Sequence, residues 1–500
     1  MLRQAQHERK WGWSAAIAAL LLSGSGSAAV PPPGPAEQAA TEALARIARS
    51  NPRLKAVLAI NPHAPAQARA LDRQRMARGA LFGRPILIKD NIETQDQPTT
   101  AGSLALIAND TKRDAPIVTG LRAAGAVILG KTNLSEWANI RSTASVSGWS
   151  AVGGQTVNAH DPARTPSGSS AGSGAAVAAG LVDLAIGTET DGSITGPAAV
   201  NGVVGLKPTV GLVSRTYVVP ISHSQDTPGP MTRTVRDAAL VLAAIAGRDP
   251  ADPATAQADA HRADYAAALR PDALKGVRIG VMRFDTGLSA GTDIVFEAAL
   301  AVLRAQGAVL VDIKESRFDP TIGADEHVVL MTELKADLNG YLAGAAPKVT
   351  ARTLADLIAF NIANADREMP LFGQESFLEA EKTKGLDDPA YLAARDRAKR
   401  HAGPEGIDRL LHEYDVAALV GPTRNPASLI DSVNGDSSRR GPGAGSIAAV
   451  AGYPHLTVPM GDVKGLPVGL SFIGTAWSEA NLLGFGAAYE SARGALDPTR

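Results

Sequence analysis

The stretch Thr165–Thr209, TPSGSSAGSGAAVAAGLVDLAIGTETDGSITGPAAVNGVVGLKPT, constrains the fold more than any other part of the chain. A serine pair, Ser169 and Ser170, enters a run of glycine, alanine and serine, and a third serine closes the triplet Asp191-Gly192-Ser193. Between them Asp183–Thr188, DLAIGT, is short, mostly apolar and ended by polar and glycine residues, which is the pattern of a buried strand. A helix of residues this small packs almost backbone to backbone on such a strand, bringing the loop at Ser169 near the turn at Ser193. Ser193 follows the strand beside a glycine, where backbone N–H groups converge on a developing oxyanion. Each such donor contributes about 3 kcal/mol. That is a setting for a nucleophile. The nearest base upstream is Lys89, at the end of the apolar strand Arg84–Asn91, RPILIKDN. Lysine acts as a base only when neutral, and desolvation at a strand end lowers its pKa from about 10.4.

Each residue also has a plainer meaning when taken alone. Ser170 is then a helix N-cap, Lys89 a solvated strand end, and Ser193 an ordinary turn residue. Gly168–Gly172 also fits G-x-S-x-G, which would make Ser170 the nucleophile of an α/β-hydrolase elbow with a downstream Asp and His. That motif follows a strand, whereas NAHDPARTP is a loop broken by Pro162 and Pro166. Histidines such as His223 and His455 separate the two mechanisms, because the lysine mechanism needs none.

The glycine-serine block, the spacing from Ser169 to Ser193 and Lys89 beside Asp90-Asn91 resemble the amidase signature family. AGAVILGKTNLSEWAN (Ala124–Asn139), SGWSAVGGQTVN (Ser147–Asn158), SQDTPGPM (Ser224–Met231) and GLPVGLSFIG (Gly465–Gly474) extend the likeness from about Glu37 to the end of the chain. LADLIAFN, LFGQE and AGPEGID make it most similar to bacterial peptide amidases. The resemblance implies one large α/β domain over residues 37–500, a mixed β-sheet covered by helices on both faces. It implies a Ser-cisSer-Lys triad with Ser193 as nucleophile, Ser169 as bridge and Lys89 as base. The N–H groups of Thr190, Asp191, Gly192 and Ser193 would form the oxyanion hole, with Ser170 in support. The implied reaction is hydrolysis of a carboxamide to acid and ammonia, on the C-terminal amide of a peptide, without cofactor or metal. Family members often carry two glycines before the nucleophile and an arginine two residues after it. Here those places hold Asp191-Gly192 and Thr195, so the substrate class of such members does not carry over. The alternatives are a general aliphatic or aryl amidase, a complex-dependent component like that of glutamyl-tRNA amidotransferase, and a non-catalytic binding protein.

Around this centre the chain reads in order. Residues 1–29 have a basic start (Arg3, Arg9, Lys10), an apolar core (Trp11–Leu22) and a small-residue end, Ser27-Ala28-Ala29, as in a secretory signal. The apolar core is too short to span a bilayer, so export to a bacterial periplasm or medium is expected, with no stable membrane span after processing. An exported chain would not meet charged tRNA. Residues 30–36 form a proline-rich spacer. With no cysteine there is no disulfide framework, lipoprotein anchor or thiol chemistry. A net charge of −1 argues against a nucleic-acid surface, and neither H-E-x-x-H, Walker A nor S-x-x-K occurs. His261 has no neighbours that suggest a metal.

Two helices follow, then a βαβ unit from the Lys89 strand through Pro116–Ala124 to Ala126, expected in a largely parallel sheet. Trp137 and Trp149 are expected in the core, with a wall of the cleft as the alternative. Val210–Met231, including Asp226, reads as a returning loop, and Thr234–Gly247 as a helix. Val277–Met282 and Ala308–Ile313 are strands around a helix. Phe318–Tyr414 is mostly helical, and the resemblance makes it the region that shapes substrate access. Strands at Val416–Val420, His455–Val458 and Pro467–Phe472 complete the sheet before a helix from Ser478.

Overall fold

Alternation of apolar side chains along Pro85–Lys89 sets the plan of the molecule, because it sends Ile86 and Ile88 into one core and Leu87 into another. A strand buried on both faces needs a layer on each side. The computed structural model, described over residues 33–74, 79–287, 289–436 and 445–494, supplies both layers. One core includes helices Pro116–Ala123, Val235–Ile245, Ala290–Ala305 and Glu479–Arg493. The other includes Pro35–Leu54, Ala64–Asp72 and Ala171–Ala178. The chain is thus a single large α/β domain.

Between the layers lies an eleven-stranded sheet. Its order is Val57–Ile60, Val127–Thr132, Pro85–Lys89, Leu184–Glu189, Thr227–Thr232, Val204–Lys207, His455–Val463, Leu466–Ile473, Ala418–Pro422, Arg278–Met282 and Val309–Ile313. Pro85–Lys89 is parallel to both neighbours, as the βαβ reading requires. The sheet as a whole is not largely parallel, since six of its ten pairings are antiparallel. The segment that read as a loop ends in the central strand Thr227–Thr232, which pairs with Leu184–Glu189 over its full length. Pro228 and Pro230 are two residues apart, so both missing N–H donors fall on the same edge of that strand and its other ladder is unaffected.

The leader expected at residues 1–29 lies outside the described residues, as do 30–32 of the spacer. Pro35 and Ala36, expected in the spacer, instead open the helix Pro35–Leu54. Proline is accommodated at a first helical position because the N–H it lacks has no intrahelical partner there. No helix among the described residues is long and apolar enough to cross a membrane.

The small-residue helix Ala171–Ala178 does approach its neighbours backbone to backbone. A Cβ on Gly172 would lie 2.3 Å from the carbonyl oxygen of Ala56 and 2.5 Å from that of Asn133. A Cβ on Gly187, in the facing strand, would lie 2.8 Å from Ser170 Oγ. Backbone atoms of two separate segments leave Gly172 nowhere to relax. Gly172→Ala is therefore expected to destabilise the fold by about 1–3 kcal/mol, read as a lowered Tm. Gly340→Ala is the control: its added Cβ meets nothing within 4 Å on the helix Ile322–Ala343, so the Tm should be unchanged or higher.

Candidate active site

Lys89 ends the strand Pro85–Lys89 with its side chain wholly buried. Nζ lies 2.8 Å from Ser169 Oγ, 2.8 Å from Thr188 Oγ1 and 3.2 Å from the Thr188 carbonyl oxygen. Asn91 Nδ2 donates to the same Thr188 hydroxyl at 2.9 Å. Burial pushes the Lys89 amine down to about 7, against the opposing pull of Asp226 and Glu189. On the next strand Lys131 is equally buried, but its ammonium meets a carboxylate, Asp90 Oδ1, at 2.9 Å. The hydrogen-bond partners of Lys89 are hydroxyls and a carbonyl, so its proton is held far less firmly.

Ser169 and Ser170 arrive on a loop pressed against the 133–148 segment. A Cβ at Gly168 would lie 2.2 Å from Ser135 Oγ and 2.9 Å from Ser147 Oγ, so a larger residue would have to displace the Ser135 hydroxyl that accepts from Gly148 N at 2.9 Å. The Gly168–Ser169 peptide bond is cis. The Ser169 carbonyl accepts from Ser135 N at 3.1 Å, and Ser170 N donates to the Ser193 carbonyl at 3.1 Å. Ser170 Oγ accepts from Thr188 N at 3.2 Å and donates to Thr188 O at 3.1 Å. Ser170 stands at the N-cap position of the helix Ala171–Ala178, but its hydroxyl makes no capping hydrogen bond there. Lys89, Ser169, Ser170 and Ser193 thus come together around the backbone of Thr188 and the turn that follows it.

The nucleophile-elbow reading fails on two counts. Ser170 follows a loop, not a strand, and neither histidine reaches it. His223 Nδ1 pairs with Asp337 at 2.9 Å. His455 Nε2 pairs with Ser471 Oγ at 2.7 Å, and burial pushes His455 down to about 3, which keeps it neutral.

The turn from Thr190 to Ser193 is held by two buried carboxylates that sequence reasoning had given no role. Glu189 Oε2 accepts from Ile194 N at 2.7 Å, Thr195 N at 2.9 Å and Thr195 Oγ1 at 3.2 Å. Asp226 Oδ1 accepts from Thr190 Oγ1 at 2.5 Å, and Gln225 Nε2 donates to the Thr190 carbonyl at 3.2 Å. Between these anchors Gly192 takes a left-handed φ of +73°. Among the described residues nothing accepts from the amides of Gly192 and Ser193. Asp191 Oδ2 accepts from Ser446 Oγ at 3.0 Å. Thr195, where family members often carry arginine, spends its hydroxyl on Glu189. The signal for Asp226 was present in SQDTPGPM, but its partner Thr190 is 36 residues away.

A small cavity beside Thr188 is lined by Asn91, Ala138, Thr190, Val219, Ile221 and Asp226 among others. Trp137 lines the adjoining space with Leu334 from the helix Ile322–Ala343. Trp137 and Trp149 are both buried, each edge-on to a phenylalanine of the 354–381 region, Phe377 and Phe372 respectively. Trp137 therefore packs in the core and also lines this space.

Among the described residues, His223, Glu333 and Asp337 bring ligating atoms within 4.8 Å of one another. The Glu333 carboxylate already accepts from the hydroxyls of Ser222, Ser224 and Tyr391 and from Ser224 N. With its lone pairs taken, this cluster is a hydrogen-bond network and not a metal seat.

The sequence profile of the family described as Amidase matches residues 38–483. The crystal structure of the native peptide amidase from Stenotrophomonas maltophilia is 51% identical, covers 93% of this chain and 95% of its own, and superposes with a TM-score of 0.87. A further structure of the peptide amidase PAM, in complex with the competitive inhibitor chymostatin, is likewise 51% identical, over the same shares of both chains, with a TM-score of 0.88. A probable amidase from Arabidopsis thaliana is 40% identical over 463 residues, 90% of this chain and 85% of its own length. The chain belongs to the amidase signature family and is an amide-hydrolysing enzyme.

Proposed function

We propose that this enzyme hydrolyses the C-terminal amide of peptides through Ser193, Ser169 and Lys89. The observation that carries the mechanism is the set of contacts at Lys89 Nζ. A neutral amine has two N–H donors and one lone pair. The carbonyl and hydroxyl of Thr188 take the two donors, which leaves the lone pair facing the Ser169 hydroxyl at 2.8 Å. Thr188 thereby orients the base towards its proton donor.

In the reaction Ser193 Oγ attacks the amide carbon, its proton passes to Ser169 Oγ, and the Ser169 proton passes to Lys89 Nζ. The oxyanion is met by the amides of Thr190, Asp191, Gly192 and Ser193, held in place by Glu189 and Asp226. The relay then runs backwards: Lys89 returns its proton through Ser169 to the departing nitrogen, the C–N bond breaks and ammonia leaves. Water repeats the sequence on the acyl-enzyme, releasing the acid and restoring Ser193. Ser170 supports the relay by fixing the Thr188 backbone.

The peptide-amide reading is supported by half-identity to a peptide amidase across 93% of the chain. The leader motif at residues 1–29 fits an exported enzyme, for which charged tRNA would be out of reach.

Ammonia release from a dipeptide amide, a simple aliphatic amide, an aryl amide and free glutamine tests the substrate class. The dipeptide amide should give the highest kcat/KM; preference for a simple amide would discard the peptide reading and keep the triad. Ser193→Ala and Lys89→Ala should each lower kcat by about 10⁴-fold or more with the fold intact. Survival of most activity in either variant would remove that residue from the mechanism.

The base is active when neutral, so kcat/KM should fall as pH drops through about 7, where burial places Lys89. A rate limited by chemistry that stays flat from about pH 5 to 9 would contradict a lysine base.

A further inference from the structure

Asp226 is a buried carboxylate for which the steps above specify only a hold on Thr190. Its Oδ1 accepts from the Thr190 hydroxyl at 2.5 Å, and its Oδ2 from the amides of Ile221 at 2.8 Å and Ser222 at 3.0 Å. Both side-chain oxygens are thus fixed by separate parts of the chain. Gln225 holds the carbonyl of Thr190, so one short segment grips the first residue of the turn twice. Glu189 grips its far end. The charged groups that bear on Lys89 are Asp226 and Glu189. Those that bear on Asp226 are Lys89, Arg215 and Asp337. Arg215 is already paired with Asp252, and Asp337 with His223. Thr188, which holds Lys89 Nζ, and Asp226 line the same small cavity, and among these groups Lys89 is the cation whose hydrogen-bond partners include no carboxylate.

We propose that Asp226 is a positioning residue for amide hydrolysis, fixing Thr190 and the amides after it while its negative charge stabilises the ammonium that forms on Lys89 during attack. This inference rests on Lys89 being the base. Both effects belong to the transition state. The Lys89 charge and the substrate oxyanion arise together, the first stabilised by the Asp226 carboxylate and the second by the turn that carboxylate holds. An interaction made only there acts on kcat and leaves KM nearly unchanged.

Two substitutions separate charge from tether. Asp226→Asn can keep every contact, since its carbonyl oxygen accepts from Ile221 and Ser222 and its amide donates to the Thr190 hydroxyl; the charge alone is lost. Thr190→Val removes the tether; because the Thr190 hydroxyl also opposes the burial that raises the Asp226 carboxyl to about 6, this variant is compared with wild type at about pH 9, where the carboxylate is ionised. The experiment measures kcat, KM and the pH profile of kcat/KM on a dipeptide amide, with Tm as the check on folding.

Asp226→Asn should lower kcat by about 10- to 100-fold with little change in KM, and should move the acid limb to lower pH by about one unit. The direction follows because an ammonium without its counter-charge loses its proton at lower pH. Thr190→Val should lower kcat by about tenfold at that pH. A limb unmoved in Asp226→Asn, or a kcat within about twofold of wild type, overturns the inference. Should Asp226→Asn fail to fold, Thr190→Val decides: an unchanged kcat at that pH overturns the inference, and a lowered kcat with an unchanged KM supports it. A wild-type enzyme without any acid limb overturns the lysine base and this inference with it, whereas a limb that is present but does not respond to Asp226→Asn overturns the inference alone.

Discussion

The desolvation of one amine governs the arrangement of the site. An ammonium buried within an eleven-stranded sheet has lost its water, and the chain can compensate with a touching carboxylate or leave the charge disfavoured. Both solutions occur side by side. Lys131 has Asp90 in contact and is a fixed structural cation, while Lys89 has Thr188 and Ser169 and is held near neutrality. Lys207, a third buried lysine, is pushed down to about 8 by burial and steadied by Glu189 and Glu479. The same residue type performs two kinds of task in one sheet, and the partner at Nζ decides which.

From that constraint the rest of the site follows. A base without a touching carboxylate needs its orientation fixed by neutral groups, and Thr188 supplies two of them from adjacent atoms. Thr188 is in turn fixed by Ser170, which bonds both its N–H and its carbonyl. Ser170 also bonds Ser193 through the backbone. The close approach of helix Ala171–Ala178, possible because Gly172 and Gly187 have no Cβ, is what lets one serine reach both elements. A rigid turn on a packed strand and helix holds reacting groups more accurately than a free loop could.

Much of this was legible in the sequence because the signals were local. The strand Leu184–Glu189, the helix before it and the βαβ unit around Lys89 are each written in contiguous residues, and the strands begin within one residue of the expected positions. Thr227–Thr232 was not, because its two prolines mimic a loop and its strand character comes from neighbours far along the chain. Val57–Ile60 and Val204–Lys207 are four-residue strands, too short for alternation to declare itself. Glu189 and Asp226 stayed without roles for a related reason. A carboxylate at the end of a strand looks like any solvated acid until the fold buries it, and burial is a property of the whole sheet. Glycine at 168, by contrast, reads in the sequence only as the first residue of a G-x-S-x-G match, yet in the structure an added Cβ there would meet the hydroxyls of Ser135 and Ser147.

The contact of Glu333 with the loop before Asp226 bears on how this enzyme could diversify. Glu333 lies on the helix Ile322–Ala343 and holds Ser222 and Ser224. Ser222 N in turn donates to Asp226. The next residue on that helix, Leu334, lines the space beside Trp137. A sequence change that reshapes this wall can therefore shift the carboxylate that anchors the Thr190 turn. Neighbours in one network do not contribute additively, so changes of preference and changes of rate would be inherited together. Paths of substitution through this helix should be epistatic, with many single steps closed until a second step in the Ser222–Asp226 loop has opened them.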